Sequence, residues 1–87
     1  MDHSLLFKRL NYFMKFIEGM EEFKITGDYI ELIQLLKAMG IAETGGHAKM
    51  IVEDGAVIRN GEVELRKRAK LVPGDKIELE DLIIKLV

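Results

Sequence analysis

The chain has no cysteine, no tryptophan, a single proline and only two histidines. Without cysteine there can be no disulfide framework and no thiolate metal site, so the fold does not call for an oxidising compartment. A cytoplasmic setting is the expectation. No apolar run approaches the roughly 20 residues of a membrane span, and the N-terminus lacks the cationic start, apolar block and small-residue cleavage site of a secretory leader. The chain therefore reads as neither membrane-spanning nor secreted. His3 and His47 lie far apart, and neither has metal-ligand spacing to an acidic neighbour on a predictable face. No catalytic residue, metal or cofactor is expected, and the chain reads as a non-enzyme. The glycines of "TGGHAK" lack nucleotide-loop spacing and do not follow a strand, which argues against ATP binding.

What is present is one small domain's worth of chain. Its 87 residues are 48% hydrophobic and 32% charged, a balance that suits a packed globular domain rather than a disordered one. The net charge of −2 argues against a generic polyanion binder. Its distribution argues otherwise. Residues 59–70 hold five cations against two carboxylates, a local +3 that leaves the rest of the chain at −5. Arg66, Lys67, Arg68 and Lys70 put four of those cations within five positions, which suits a partner that touches one edge of an acidic body.

Residues 1–22 carry Leu6, Leu10, Phe13, Ile17 and Met20 at alternating steps of four and three, the spacing of one apolar helical stripe. An N-terminal amphipathic helical extension is expected there. It either folds back on the domain or joins a partner copy as a homodimer contact. Phe23 and Ile25 in "FKIT" predict a short strand ended by Gly27. "DYIELIQLLKAMG" predicts a helix, with Asp28 and Glu31 as a capping box and Gly40 as its terminator. "AETGGHAKMIVEDG" predicts a second, with Thr44 as N-cap and Gly55 as the stop. Beyond it, Asn60-Gly61 is the dipeptide of a type I′ hairpin turn. Pro73-Gly74 reads as a type II turn, and "KIEL" and "LIIKLV" read as closing strands around Glu80-Asp81. The pattern is α+β.

Two features bear on function, and each has an ordinary structural reading. Free N–H groups at the helix start from Thr44 to Lys49 attract a phosphate, or the two glycines merely allow a tight entry while Lys49 pairs with Glu53. The basic run is either a solvated loop balanced by nearby glutamates, or an irregular connection that presents its cations together; a regular strand would split them between faces. The six aromatics all lie at or before residue 29. A face made from later residues has no ring on which to stack bases, which favours duplex or folded RNA over single strands.

The ordered series "DYIELIQLLKAMGI", "TGGHAKMIVEDGAV" and "NGEVELRKRAKLVPGD" resembles the S4-type RNA-binding domain, most closely its small free-standing bacterial branch of YbcJ/YaaA-like proteins. The resemblance covers residues 23–87, about three quarters of the chain. It implies an S4-like (αL) domain, in which two short packed helices lie on a small, mostly antiparallel β-sheet. It also implies a face that binds structured RNA, ribosomal or transfer RNA among the choices, with no membrane partner. Carried over by position, the RNA-binding residues are Lys37, Thr44, Gly45, Gly46, His47, Lys49, Asn60, Arg66, Lys67, Arg68 and Lys70. Arg59 departs from the pattern, standing where an apolar strand residue is usual; it either adds a phosphate contact or disturbs the strand face. Ala69 departs too, where glycine is frequent, and would stiffen the basic loop. The competing reading is a protein-interaction module that works through the N-terminal apolar helix.

Overall fold

A computed structural model describes residues 19–87. The apolar stripe from Leu6 to Ile17 lies outside them. Met20, the last member of that stripe, is not helical: β1 spans Met20–Phe23 and pairs in parallel with the final strand, Met20 opposite Ile83 and Phe23 opposite Leu86. This corrects two expectations, the helical extension through residue 22 and the strand placed on "FKIT". The sheet's edge recruits the chain earlier, because Gly19, Phe23 and Ile25 all exchange backbone hydrogen bonds with β7 or its end.

The remaining elements are β2 (Ile30–Glu31), α1 (Leu32–Ala38), α2 (Gly45–Glu53), β3 (Val57–Arg59), β4 (Glu62–Val63), β5 (Lys70–Leu71), β6 (Lys76–Leu79) and β7 (Leu82–Leu86). Five strands form one sheet in the order β1-β7-β6-β3-β4, antiparallel except for β1 with β7. A second, two-stranded sheet pairs β2 with β5. The expected α+β architecture of two helices with a mostly antiparallel sheet is present.

Periodicity accounts for the core. In α1, Leu32, Leu35 and Leu36 are fully buried, the steps of three and four that aim one helical stripe inward. Ala48 and Val52 do the same from α2, while Ile84 and Leu86 alternate with exposed Lys85 along β7. Val57, Leu71 and Ile77 complete the contact between layers.

Both helices stop where their glycines predict. Gly40 adopts φ 74° and Gly55 φ 79°, and the following bonds complete Schellman motifs: Gly40 N–H to Lys37 O with Ile41 N–H to Leu36 O, and Gly55 N–H to Val52 O with Ala56 N–H to Ile51 O. The start of α1 does not follow its sequence signal. Glu31 is the N-cap residue and makes no side-chain cap bond, so the Asp28–Glu31 capping box is absent. Instead Ile30–Glu31 is drawn into β2, and the first N–H groups of the helix, on Leu32 and Ile33, donate to the carbonyls of Ala69 and Lys67 at 2.9 and 3.1 Å. A long-range partner satisfies the helix end that a local side chain was expected to cap.

Leu35→Ala removes a fully buried side chain from the centre of this packing, and urea unfolding is expected to register a loss of about 2–5 kcal/mol.

Candidate nucleic-acid interface

The hairpin between β3 and β4 turns as its sequence requires. Asn60 and Gly61 both have positive φ, 51° and 90°, so Arg59 comes to lie opposite Glu62. The Arg59 side chain reaches back across the sheet end. Its Nη2 donates to Asp75 Oδ2 at 2.8 Å and to the Lys70 carbonyl at 2.9 Å, and its Nη1 donates to Glu64 Oε1 at 3.4 Å. Asp75 also accepts from Asn60 Nδ2 and from the Val72 N–H, both at 2.9 Å, while Asn60 Oδ1 accepts from the Lys76 N–H at 2.8 Å. Burial pushes the Asp75 carboxyl up, but the Val72 N–H, Asn60 and Arg59 together outweigh it and hold the group below its ordinary value.

Glu64 carries the basic loop. Its carboxylate accepts from Arg66 Nε at 3.0 Å, Arg66 Nη2 at 3.1 Å and the Arg66 backbone N–H at 3.1 Å. The Arg66 hydrogen bond is the main force that lowers Glu64 from 4.5 to about 2, against an opposing push from burial. Residues 66–69 then form a turn closed by the Ala69 N–H on the Arg66 carbonyl. Arg68 Nη2 and Nε reach Glu31 at 3.2–3.4 Å, and Lys70 Nζ lies 4.9 Å from the centre of the Tyr29 ring. Ala69 is buried. Its methyl group belongs to the core cluster together with Leu71.

Arg59, Arg66, Arg68 and Lys70 line one concavity of about 560 Å³, with Ala69 at its base. A neighbouring hollow of about 300 Å³ is lined by Arg59, Asn60, Glu62, Val63, Glu64 and Arg66. The turn therefore gathers three of the four cations of the run. Lys67 is half-buried and lines neither hollow; its carbonyl holds the start of α1. Arg59 neither points freely outward nor disrupts its strand, since its guanidinium binds the loop to the sheet.

The other expected residues lie on the helices and line neither hollow. Thr44 caps α2 as its sequence predicts, Oγ1 accepting from the His47 N–H at 3.0 Å, and His47 Nδ1 accepts from the Glu43 N–H at 3.4 Å. The second bond is not the reciprocal half of a capping box, because it goes to the residue before the N-cap and not to Thr44 itself. Gly45 and Gly46 have no positive φ, and a Cβ on either would meet nothing closer than 3.9 Å. Tight entry to the helix therefore does not require them; of the first-turn N–H groups, those of Gly45 and Gly46 are left without an acceptor among the described residues, while those of His47 and Ala48 bond to Thr44. Lys49 is exposed and has no ion pair with Glu53, and exposed Lys37 stands in the last turn of α1, where the helix dipole favours a cation.

Sequence reasoning missed Glu64, Asp75, Glu31 and Tyr29. Glu64 reads from sequence as charge balance, Glu31 as part of a capping box and Asp75 as part of a turn, whereas the fold makes all three the posts to which the cations are tied. Tyr29 was set aside because it precedes the basic run by some forty positions, yet the β2–β5 pairing places Ile30 opposite Leu71 and Glu31 opposite Lys70. No local signal marks it, because "DYIELIQ" reads as a helix start and the pairing that brings Tyr29 beside Lys70 is long-range.

The model that describes the S4 domain matches residues 23–87. The chain belongs to the S4 domain family. YbcJ of Escherichia coli strain K12, whose name describes it as a candidate RNA-binding protein, is 37% identical over 59 residues, spanning 68% of this chain and 84% of its own. YbcJ of Shigella flexneri matches to the same extent. The solution structure of the E. coli protein, described as revealing an αL motif involved in RNA binding, superposes with a TM-score of 0.55 at 32% identity, covering 79% of this chain and 86% of that one. In this S4 domain no helix among the described residues is long and apolar enough to cross a membrane.

Two outcomes follow from the ion cluster. The depressed pKa of Glu64 contributes stability that is complete above about pH 5 and is lost as pH falls towards about 2, with Asp75 acting in the same direction. Thermal unfolding followed from pH 7 to pH 2 should show this acid loss, and Glu64→Gln should flatten it. Arg59→Met removes the cation that bridges two largely buried carboxylates, Glu64 and Asp75, and should cost about 2–4 kcal/mol in urea unfolding, somewhat below a fully buried pair because the Arg59 side chain is 21% exposed.

Proposed function

We propose that this S4 domain binds structured RNA through the hollow lined by Arg66, Arg68 and Lys70, as a non-enzymatic cytoplasmic protein, with ribosomal or transfer RNA as the substrate class. The observation that carries this reading is the convergence of four cations on one concavity of a chain whose net charge is −2. Phosphates attract such a surface in any sequence, and neutralising them releases counterions. The guanidinium groups suit the task. Each keeps donors beyond those its carboxylate partner accepts, and the partner holds it in one orientation.

Arg59 acts here as a positioning residue, tying the Lys70 carbonyl and Asp75 to the hairpin. In this reading the start of α2, with exposed Lys49 in its first turns, supplies one further phosphate contact, and Lys37, Asn60, His47 and Lys67 add contacts of their own. Residues 23–87 are the RNA-binding unit. Relatives whose names or descriptions mention RNA binding support the reading.

An Arg66→Ala, Lys67→Ala, Arg68→Ala triple variant should bind labelled structured RNA much more weakly than the parent. Its log-log salt dependence should be shallower by about one unit for each phosphate it no longer neutralises. Equal affinities in a fluorescence-anisotropy titration would remove the basic loop from the site.

A further inference from the structure

The cations explain how a phosphate backbone is held but leave an exposed ring beside them without a role. Tyr29 is 43% exposed, although aromatic side chains usually contribute most to a small domain when buried. Phe23, by contrast, packs against the core. The Tyr29 hydroxyl makes no hydrogen bond among the described residues. The ring does have a neighbour, because Lys70 Nζ stands over it at 4.9 Å, the distance of a cation–π contact. Arg68 is bound to Glu31, two residues beyond the ring.

We propose that Tyr29 is a stacking platform for one unpaired base, placed next to the cations that hold the phosphates on either side of that base. This rests on the RNA-binding reading above and narrows its ligand to structured RNA interrupted by a bulged or otherwise unpaired nucleotide. Lys70 is the hinge of the arrangement. The Lys70 side chain lines the phosphate hollow and its ammonium stands over one face of the ring, so a base on the other face of Tyr29 and a phosphate at Lys70 belong to neighbouring nucleotides. A single ring is too few to follow a single strand, which needs a series of platforms along a groove. It is enough to read one base that a helix has released, the kind of feature through which folded RNA is distinguished from plain duplex.

The full chain can be titrated against two RNA hairpins that differ only by one bulged 2-aminopurine in the stem. The parent protein should prefer the bulged hairpin by about five- to tenfold, the lower end of what one stacked base contributes, and the 2-aminopurine emission should change on binding. Tyr29→Phe should keep both effects. Tyr29→Leu should bind the two hairpins alike, at the affinity of the fully paired one. The proposal is overturned if Tyr29→Leu retains the preference, or if the parent binds both hairpins equally with unchanged emission; RNA binding itself then stands. Failure of the parent to bind either hairpin overturns the underlying reading as well. Circular dichroism establishes whether Tyr29→Leu folds; if it does not, the emission change in the parent and in Tyr29→Phe decides the matter.

Discussion

Asp75 holds together parts of the chain that no regular element joins. One carboxylate accepts from Arg59, Asn60 and the Val72 N–H, which brings the tip of the β3–β4 hairpin, the turn before β6 and the end of β5 to a single point. A carboxylate can accept several donors at once, and at 8% exposure this one has little water to fall back on. Its partners are thereby required to be where they are. Arg59 follows, since its guanidinium bridges Asp75 and Glu64, and Glu64 in turn holds Arg66, its principal partner. The basic loop hangs from this chain of dependencies.

That arrangement changes what a cluster of cations means. Arg66 and Arg68 are 74% and 72% exposed, yet each is held by a carboxylate. Such exposed pairs contribute little to stability. Their consequence is orientation, because a guanidinium fixed on one edge has its remaining donors aimed before any ligand arrives. A flexible basic run would lose more side-chain entropy on meeting a phosphate. The acidic residues of the chain are thus components of its cationic face.

The same loop also completes the core. Carbonyls of Lys67 and Ala69 take the place of a helix cap at the start of α1, Ala69 is buried, and Leu71 lies at the centre of the packing. Glu31 stands at the positive end of the α1 dipole, where a carboxylate is favoured, and binds Arg68 from there. Folding of the helix pair and formation of the cationic hollow are therefore one event: the loop cannot leave the helix start without stranding its first N–H groups.

Features whose cause is local were readable from the residues themselves. The stripe of Leu32, Leu35 and Leu36, the glycine stops at Gly40 and Gly55, the Thr44 cap and the Asn60-Gly61 turn all depend on neighbours within a few positions, and each appears as its pattern predicts. The ordered motifs likewise led to the S4 family. Where a distant partner competes, local signals failed. Asp28 and Glu31 form no capping box because residues 67–71 reach the helix first, and β1 forms at Met20 because β7 offers it a parallel edge. Arg59 was ambiguous because its carboxylate partners lie 5 and 16 positions away. Tyr29 was excluded from the basic face by its position in the chain, whereas the β2–β5 pairing places it there. The residues by themselves determined the helices, the turns and the presence of a basic run; only the tertiary structure decided which cations converge, what holds them and which ring stands beside them, because ion pairs and strand pairing act through space between residues whose separation along the chain carries no signal.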